Sequence, residues 1–239
     1  MPIPSVPDHV AAAVPSIDDA ARRWHDDLGG GWVGPRFPGD QAGFATRQLR
    51  FAGGAKLELL EPTTSDGFAA KFLERFGARI HHVTLKVPAL LPAVDRLRDD
   101  GFDVVDVFAE GDVWHEGFLR PSQVGGLIVQ IAWTGRSDDE WAELAGIAPE
   151  PPATDGPRLL GPTLAHPDPA VVADVWRRLG AEVDGDADGL RVSWPDAPLD
   201  VEVAPGRQAG PIGLRFAAAD AHPGDERVGP ATLPAGPVH

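Results

Sequence analysis

The sequence predicts an α+β fold assembled from βαβββ modules: two well-kept copies and a third, degenerate βαβββ-like one. Three observations carry this. First, His9-Val-Ala-Ala-Ala-Val-Pro15 and His82-Val-Thr-Leu-Lys-Val-Pro88 stand 73 positions apart, and the double aspartates Asp26-Asp27 and Asp99-Asp100 keep the same offset. A constant offset of this kind marks a duplicated supersecondary unit, which buries one face against its own copy. Second, each copy closes on a short apolar strand with a single polar residue inside it. These are Lys56-Leu-Glu58-Leu-Leu60, with 49 positions from His9 to Glu58, and Leu127-Ile-Val-Gln130-Ile131, with 48 from His82 to Gln130. Third, 25 Pro and 28 Gly make turns frequent and elements short.

The elements follow in order. Residues 8–14 are β-compatible and closed by Pro15, a strand. Ser16 caps the next run, in which Ile17, Ala20, Ala21, Trp24 and Leu28 fall at helical spacing until Gly29-Gly30-Gly31 stops it. Three short strands come next, around Trp32-Val33, from Phe44 to Phe51 and from Ala55 to Leu60. Asp66 is expected to cap a linking helix stopped by Gly77, with Phe68, Phe72 and Phe76 recurring every four residues as core. The second copy repeats the order: strand 80–87, helix 89–100 with Leu90, Val94 and Leu97 on one face, and strands near 102–107, 113–119 and 126–132.

Beyond Trp133 the texture changes. Ser137 caps a short acidic helix containing Trp141, and residues 148–156, with Pro149, Pro151 and Pro152, read as linker. A third echo opens at Gly161-Pro-Thr-Leu-Ala-His166-Pro167, continues in a helix with Val171, Val175, Trp176 and Leu179, and ends in strands at 189–194, 199–203 and 211–217. Aligned on its proline, it sets Gly161 where the other copies have histidine, so His166 and Glu202 are read as structural. The expected organisation is a domain over 1–135 (modules 6–62 and 80–134), a short helix and linker over 136–158, the third module over 159–218 and a loose tail over 219–239.

At 239 residues and 43% apolar content the chain can bury one large core or two small ones. A net charge of -15 argues against nucleic acid or an anionic membrane as partner. The absence of cysteine excludes disulfides, thiolate zinc sites and a cysteine nucleophile, so any metal must be held by nitrogen and oxygen. The chain opens without a secretory pattern and has no apolar run near the roughly 20 residues of a membrane span. A cytoplasmic protein with a small-molecule substrate is therefore expected.

The lone polar residues of the closing strands carry the chemistry. A carboxylate flanked by apolar residues on a strand points into a core, where it is costly without a partner. Two histidines, one glutamate and one glutamine at equivalent repeat positions, His9, Glu58, His82 and Gln130, supply that partner by sharing a divalent ion. His81 alternates to the opposite strand face and is read as an outer-face residue; His115 is read as a surface residue. Arg47, Arg50 and Arg120 are candidates for an anionic group or, equally, surface charges offsetting acidic neighbours.

The paired HVxxxVP strands, the segment Leu57-Glu-Leu-Leu-Glu-Pro62, the His81-His82 pair and the run Phe118-Leu-Arg-Pro-Ser-Gln-Val-Gly-Gly-Leu-Ile-Val-Gln130 resemble the vicinal oxygen chelate superfamily. The likeness is greatest to its glyoxalase-like and methylmalonyl-CoA epimerase-like branch, and covers roughly residues 6–134. It implies a half-barrel of eight strands around one divalent ion, with ligands at the same His9, Glu58, His82 and Gln130. The ion could be Mg, Mn, Co, Ni, Zn or Fe(II). The implied function is a metal-dependent isomerase, epimerase or lyase acting on a small oxygen-rich molecule through a metal-stabilised enolate. Two alternatives of the same fold are an extradiol-type Fe(II) dioxygenase and a non-catalytic drug-binding protein. The chain departs from the epimerase pattern twice: Thr46 falls where those enzymes carry a base, and Gln130 where they carry Glu. Glu116 is the candidate replacement base. The third module is expected to pack on the flank of the first two or on its twin in a homodimer.

Overall fold

The computed structural model describes residues 1–39, 43–217 and 227–231. They fall into two compact units, one of Met1–His9, His82–Arg136 and Gly161–Ile212, the other of Val10–His81, Ser137–Leu160 and the described residues from Gly213 onward.

The first module opens with β1 (Val6–Ala13). Ser16 caps α1 (Ile17–Ala21), its hydroxyl accepting from the Asp19 N–H at 3.2 Å. Glu61, buried and paired with Arg36, accepts from the Ile17 N–H at 2.6 Å and so holds the same helix end from a strand. The helical run predicted through Leu28 is not uniform. It widens over Arg22–Asp27 into a π-type turn that keeps Trp24 buried, and Gly29 at φ 68 ends it.

The predicted strand at Trp32-Val33 resolves into two short pieces, β2 (Gly31–Trp32) and β3 (Phe37–Gly39), both paired to β4 (Phe44–Arg50). β4 runs antiparallel to β5 (Lys56–Pro62), setting Thr46 across from Leu60 and Gln48 across from Glu58.

The linking helix α2 (Phe68–Phe76) starts one residue later than expected: Gly67, not Asp66, is the N-cap, without a side-chain bond. Its Ala69, Phe72 and Leu73 pack over Ala13 and Leu60, whereas Phe68 and Phe76 are 43% and 46% exposed. Residues four apart drift by roughly 40° per step around a helix. The three rings therefore cannot all face one narrow strip, and only Phe72 joins the core.

The second module runs through β6 (Arg79–Lys86), α3 (Leu90–Asp99), β7 (Val104–Phe108), β8 (Trp114–Leu119) and β9 (Ile128–Thr134). Leu90, Val94 and Leu97 of α3 are buried, as are Leu119, Val129 and Ile131 on the strands α3 covers. Among the described residues the strand order is β2-β4-β5-β1-β6-β9-β8-β7, with β3 beside β4. Each half of this order is the same βαβββ module, so the predicted pair of modules is present.

α4 (Asp138–Ala145) carries a capping box between Ser137 and Glu140. Its Asp138 takes both Arg50, at 2.8 Å, and the buried Lys56, at 2.9 Å. The segment read as linker is anchored: Glu150 N–H donates to Trp32 O and Ala153 N–H to Gly29 O, each at 2.8 Å.

The third module comprises β10 (Arg158–His166), a 3-10 turn leading into α5 (Ala173–Arg178), β11 (Glu182–Asp186), β12 (Gly189–Ser193) and β13 (Val201–Pro205). β11 escaped the sequence reading because Glu182-Val-Asp-Gly-Asp186 has one apolar side chain to signal it. The strand expected at 211–217 is β14 (Gly210–Ala217), which lies on the far side of β10 from β13. It therefore stands outside the third βαβββ unit, where the first sheet has the leading strand of another module. In the stretch expected to be a loose tail, β15 (Arg227–Ala231) pairs with β14. The rest of 219–239 lies outside the described residues.

Gly161 has φ +132, and a Cβ there would stand 1.9 Å from the Asp200 carbonyl oxygen. The position matching His9 and His82 has room only for glycine in this copy. Inside the first unit the third module meets the second at the turn before β9, where Gly126 abuts Gly210, and at Asp100, whose carbonyl accepts from Arg178 at 3.3 Å. No helix among the described residues is long and apolar enough to cross a membrane.

Candidate functional site

The strands of the second module set a row of polar side chains on one face. β6 and β9 run parallel with Thr84 beside Gln130, and β8 lies antiparallel to β9 with Phe118 across from Gln130 and Glu116 across from Ala132. Because strand side chains alternate, His82, Thr84, Gln130, Glu116 and Trp114 share that face. His9 joins them from β1: its Nε2 lies 3.0 Å from Thr84 Oγ1, and its ring is T-shaped to that of His82 with centroids 5.7 Å apart.

From there a continuous series of bonds runs both ways. Thr84 donates to Gln130 Oε1 at 2.5 Å, and Gln130 Nε2 donates to Glu116 Oε2 at 2.7 Å. Trp114 Nε1 donates to that same carboxylate oxygen at 2.8 Å. Behind His9, Nδ1 bonds Asp8 Oδ2 at 2.7 Å, and the other oxygen of Asp8 pairs with Lys86 Nζ at 2.8 Å. Thr84 is fully buried, and His9, His82 and Gln130 are nearly so.

Glu58 sits half-buried in the middle of β5, accepting from Gln48 Nε2 at 3.1 Å on its Oε2. His9, Glu58 and His82 each offer one ligand atom, and these atoms all lie within 4.8 Å of one another. Two imidazole nitrogens and a carboxylate oxygen, without sulfur, are a donor set suited to divalent ions of the zinc, manganese, cobalt or ferrous type. Burying such groups together is expensive unless they share a cation or hydrogen bonds. The residues present therefore fit a divalent ion.

The sequence reading missed Asp8, Gln48, Thr84, Lys86 and Trp114. Thr84 was signalled by the two-residue period from His82. The others depend on cross-strand register or on reach along a strand.

The remaining candidates have protein partners. Arg47 stacks 3.9 Å over the Trp32 ring and donates to Gly34 O at 3.1 Å, and burial lowers its pKa. Arg50 is held by Asp138, and Arg120 pairs with Asp103 at 3.3 Å. Each of the three arginines thus has a partner within the protein. His115 bonds Gly111 O at 2.8 Å and lies against Trp133. His81, read as an outer-face residue, packs on Phe72 and Phe68 of α2, and burial pushes its pKa down to about 4.

Paired βαβββ modules in one mixed sheet, with a histidine on the leading strand of each, define a glyoxalase-like half-barrel protein. Residues 8–118 match the glyoxalase/bleomycin resistance protein/dioxygenase superfamily, and the chain belongs to it. The uncharacterized protein YqjC of Bacillus subtilis is 30% identical over 126 residues, which are 52% of this chain and 89% of that one. The ethylmalonyl-CoA/methylmalonyl-CoA epimerase of Cereibacter sphaeroides is 32% identical over 129 residues, 52% of this chain and 94% of its own. The crystal structure of methylmalonyl-CoA epimerase from Mycobacterium tuberculosis, 27% identical, superposes with a TM-score of 0.50 over 55% of this chain and 89% of that one.

Proposed function

We propose that the chain is a divalent-metal-dependent isomerase or epimerase, or a lyase, that removes a proton beside a carbonyl of a small molecule with adjacent oxygens. The observation that carries the reading is the gathering of ligand atoms from His9, Glu58 and His82 within 4.8 Å, in a row that continues through Thr84 and Gln130 to Glu116. His9, Glu58, His82 and Gln130 would hold the ion. When bound, it supplies a Lewis acid for the substrate oxygens.

Glu116 moves the proton. Trp114 and Gln130 both donate to Oε2, fixing the carboxylate and assigning Oε1 to exchange with the substrate carbon. Phe118 and Ile128, half-buried on the same face, offer apolar wall beside it. Thr46, on the same face of β4 as Gln48, brings a hydroxyl where the resemblance to the epimerases would set a carboxylate base. Acyl-CoA thioesters, named in the relatives, are the first substrates to try.

Metal analysis of the full chain after loading and desalting should find a stoichiometric divalent ion, lost in His82→Ala. Glu116→Gln should keep the ion and lose deuterium incorporation beside the thioester carbonyl of methylmalonyl-CoA in D₂O. A wild-type chain that retains no divalent ion overturns the reading. A second reading has one observation in its favour: two histidines and one carboxylate also form the ligand set of non-haem Fe(II) oxygenases. Oxygen uptake with catechols after anaerobic iron loading would establish an extradiol-type dioxygenase instead.

A further inference from the structure

We infer that Asp8, braced by Lys86, is the positioning residue that commits His9 to presenting Nε2 to a divalent ion; this rests on the metal-centre reading above. Asp8 and His9 are neighbours on β1, so their side chains leave the strand on opposite faces. Even so, Asp8 Oδ2 reaches His9 Nδ1 at 2.7 Å, with the two side chains 10% and 3% exposed. That bond occupies one ring nitrogen. The other, Nε2, is the atom that faces Thr84 and, through it, Gln130.

A ligand imidazole whose second nitrogen is held by a carboxylate is fixed in orientation and is the better donor. Lys86 Nζ, 2.8 Å from Asp8 Oδ1, keeps the carboxylate from turning away and balances a charge that is nearly out of water. The residues of the brace are not repeated in the second copy. Counting 73 positions, His81 stands where Asp8 does and Ala13 where Lys86 does, and His81 packs on Phe68 and Phe72. The residue before each histidine of the site thus differs, an ion-paired aspartate before His9 and a histidine before His82.

The test titrates the full chain with cobalt(II) at one fixed pH, reading visible absorption for affinity and site geometry, with circular dichroism to check the fold. Asp8→Ala should bind cobalt about 10–100-fold more weakly than wild type, the range for loss of an outer-shell partner. Asp8→Asn, which can still accept from Nδ1, should recover part of that loss. Lys86→Met is the discriminating variant. Removing a positive charge by itself would tighten cation binding, whereas losing the brace should weaken it.

Three results overturn the inference: Asp8→Ala binding like wild type, Asp8→Asn no better than Asp8→Ala, or Lys86→Met binding as tightly as wild type or more so. Should Asp8→Ala not fold, Asp8→Asn against wild type and Lys86→Met still decide it. A wild-type chain that takes up no cobalt overturns the metal reading itself and this inference with it, a result distinct from tight binding that ignores Asp8.

Discussion

Replacing Thr84 by valine removes one hydroxyl and leaves the shape of a fully buried side chain nearly unchanged. That hydroxyl donates to Gln130 Oε1 at 2.5 Å, so its loss takes the donor from a buried amide oxygen, and its oxygen also lies 3.0 Å from His9 Nε2. A buried group left unsatisfied costs about 1–3 kcal/mol. Thr84→Val should therefore destabilise the metal-free chain by about 1–3 kcal/mol, or roughly 2–12 °C in melting temperature for a chain of this length. Thr84→Ser keeps the hydroxyl and loses a methyl group, about 1 kcal/mol. Urea and thermal unfolding followed by circular dichroism measure both. If the row is as drawn, cobalt(II) should also shrink the valine deficit, because the ion then engages His9 and Gln130 in place of the hydroxyl. A valine variant within about 0.5 kcal/mol of wild type, or a serine variant as unstable as the valine one, would refute the reasoning.

Gly161→Ala should be severely destabilising, since its Cβ would meet the Asp200 carbonyl at 1.9 Å in a backbone conformation, φ +132, that side chains rarely adopt; wild-type-like unfolding of that variant would contradict the packing described. Glu61→Ala strips the Ile17 N–H of its acceptor and Arg36 of its partner, and should cost about 1–3 kcal/mol in chemical unfolding. The pKa of His25 is raised, first by its bond to Asp26 and then by Glu150, against the opposing effect of burial. The interaction therefore stabilises fully below the ordinary value of 6.5 and fades as pH rises through the higher folded value. An NMR titration of the His25 ring should give a midpoint above 6.5, lowered by Asp26→Asn and by Glu150→Gln, and a midpoint at or below 6.5 in the wild type would count against it.

The modular architecture was legible because it is written in apolar periodicity and a fixed offset. His9, Glu58, His82 and Gln130 stood out for the same reason, as polar interruptions at matching positions of apolar strands. What joins them was not legible. Thr84 is an ordinary strand residue until the register sets it beside Gln130, and the reach of Asp8 back to His9 depends on rotamers that no spacing encodes. β11 was missed because a strand with one apolar side chain carries no alternation signal. The Phe68-Phe72-Phe76 series misled because its four-residue step resembles a buried stripe, while α2 has only a narrow strip to cover. Gly161 was legible as a substitution for histidine but not as a steric demand, since the Asp200 carbonyl, just ahead of β13, comes from 39 positions away.

The anchoring of residues 150–153 along β2 bears on how the chain can be divided. β2 is the outermost strand of its sheet, and the backbone bonds from Glu150 and Ala153 close off its free hydrogen-bonding side. A shortened protein ending near Arg136 would keep the glyoxalase-like half but bare that rim, and would strand Lys56 without Asp138. Exposed rims of this kind recruit strands from other molecules. The excised half is thus expected to self-associate, and the segment that reads as a tether serves as a guard against it.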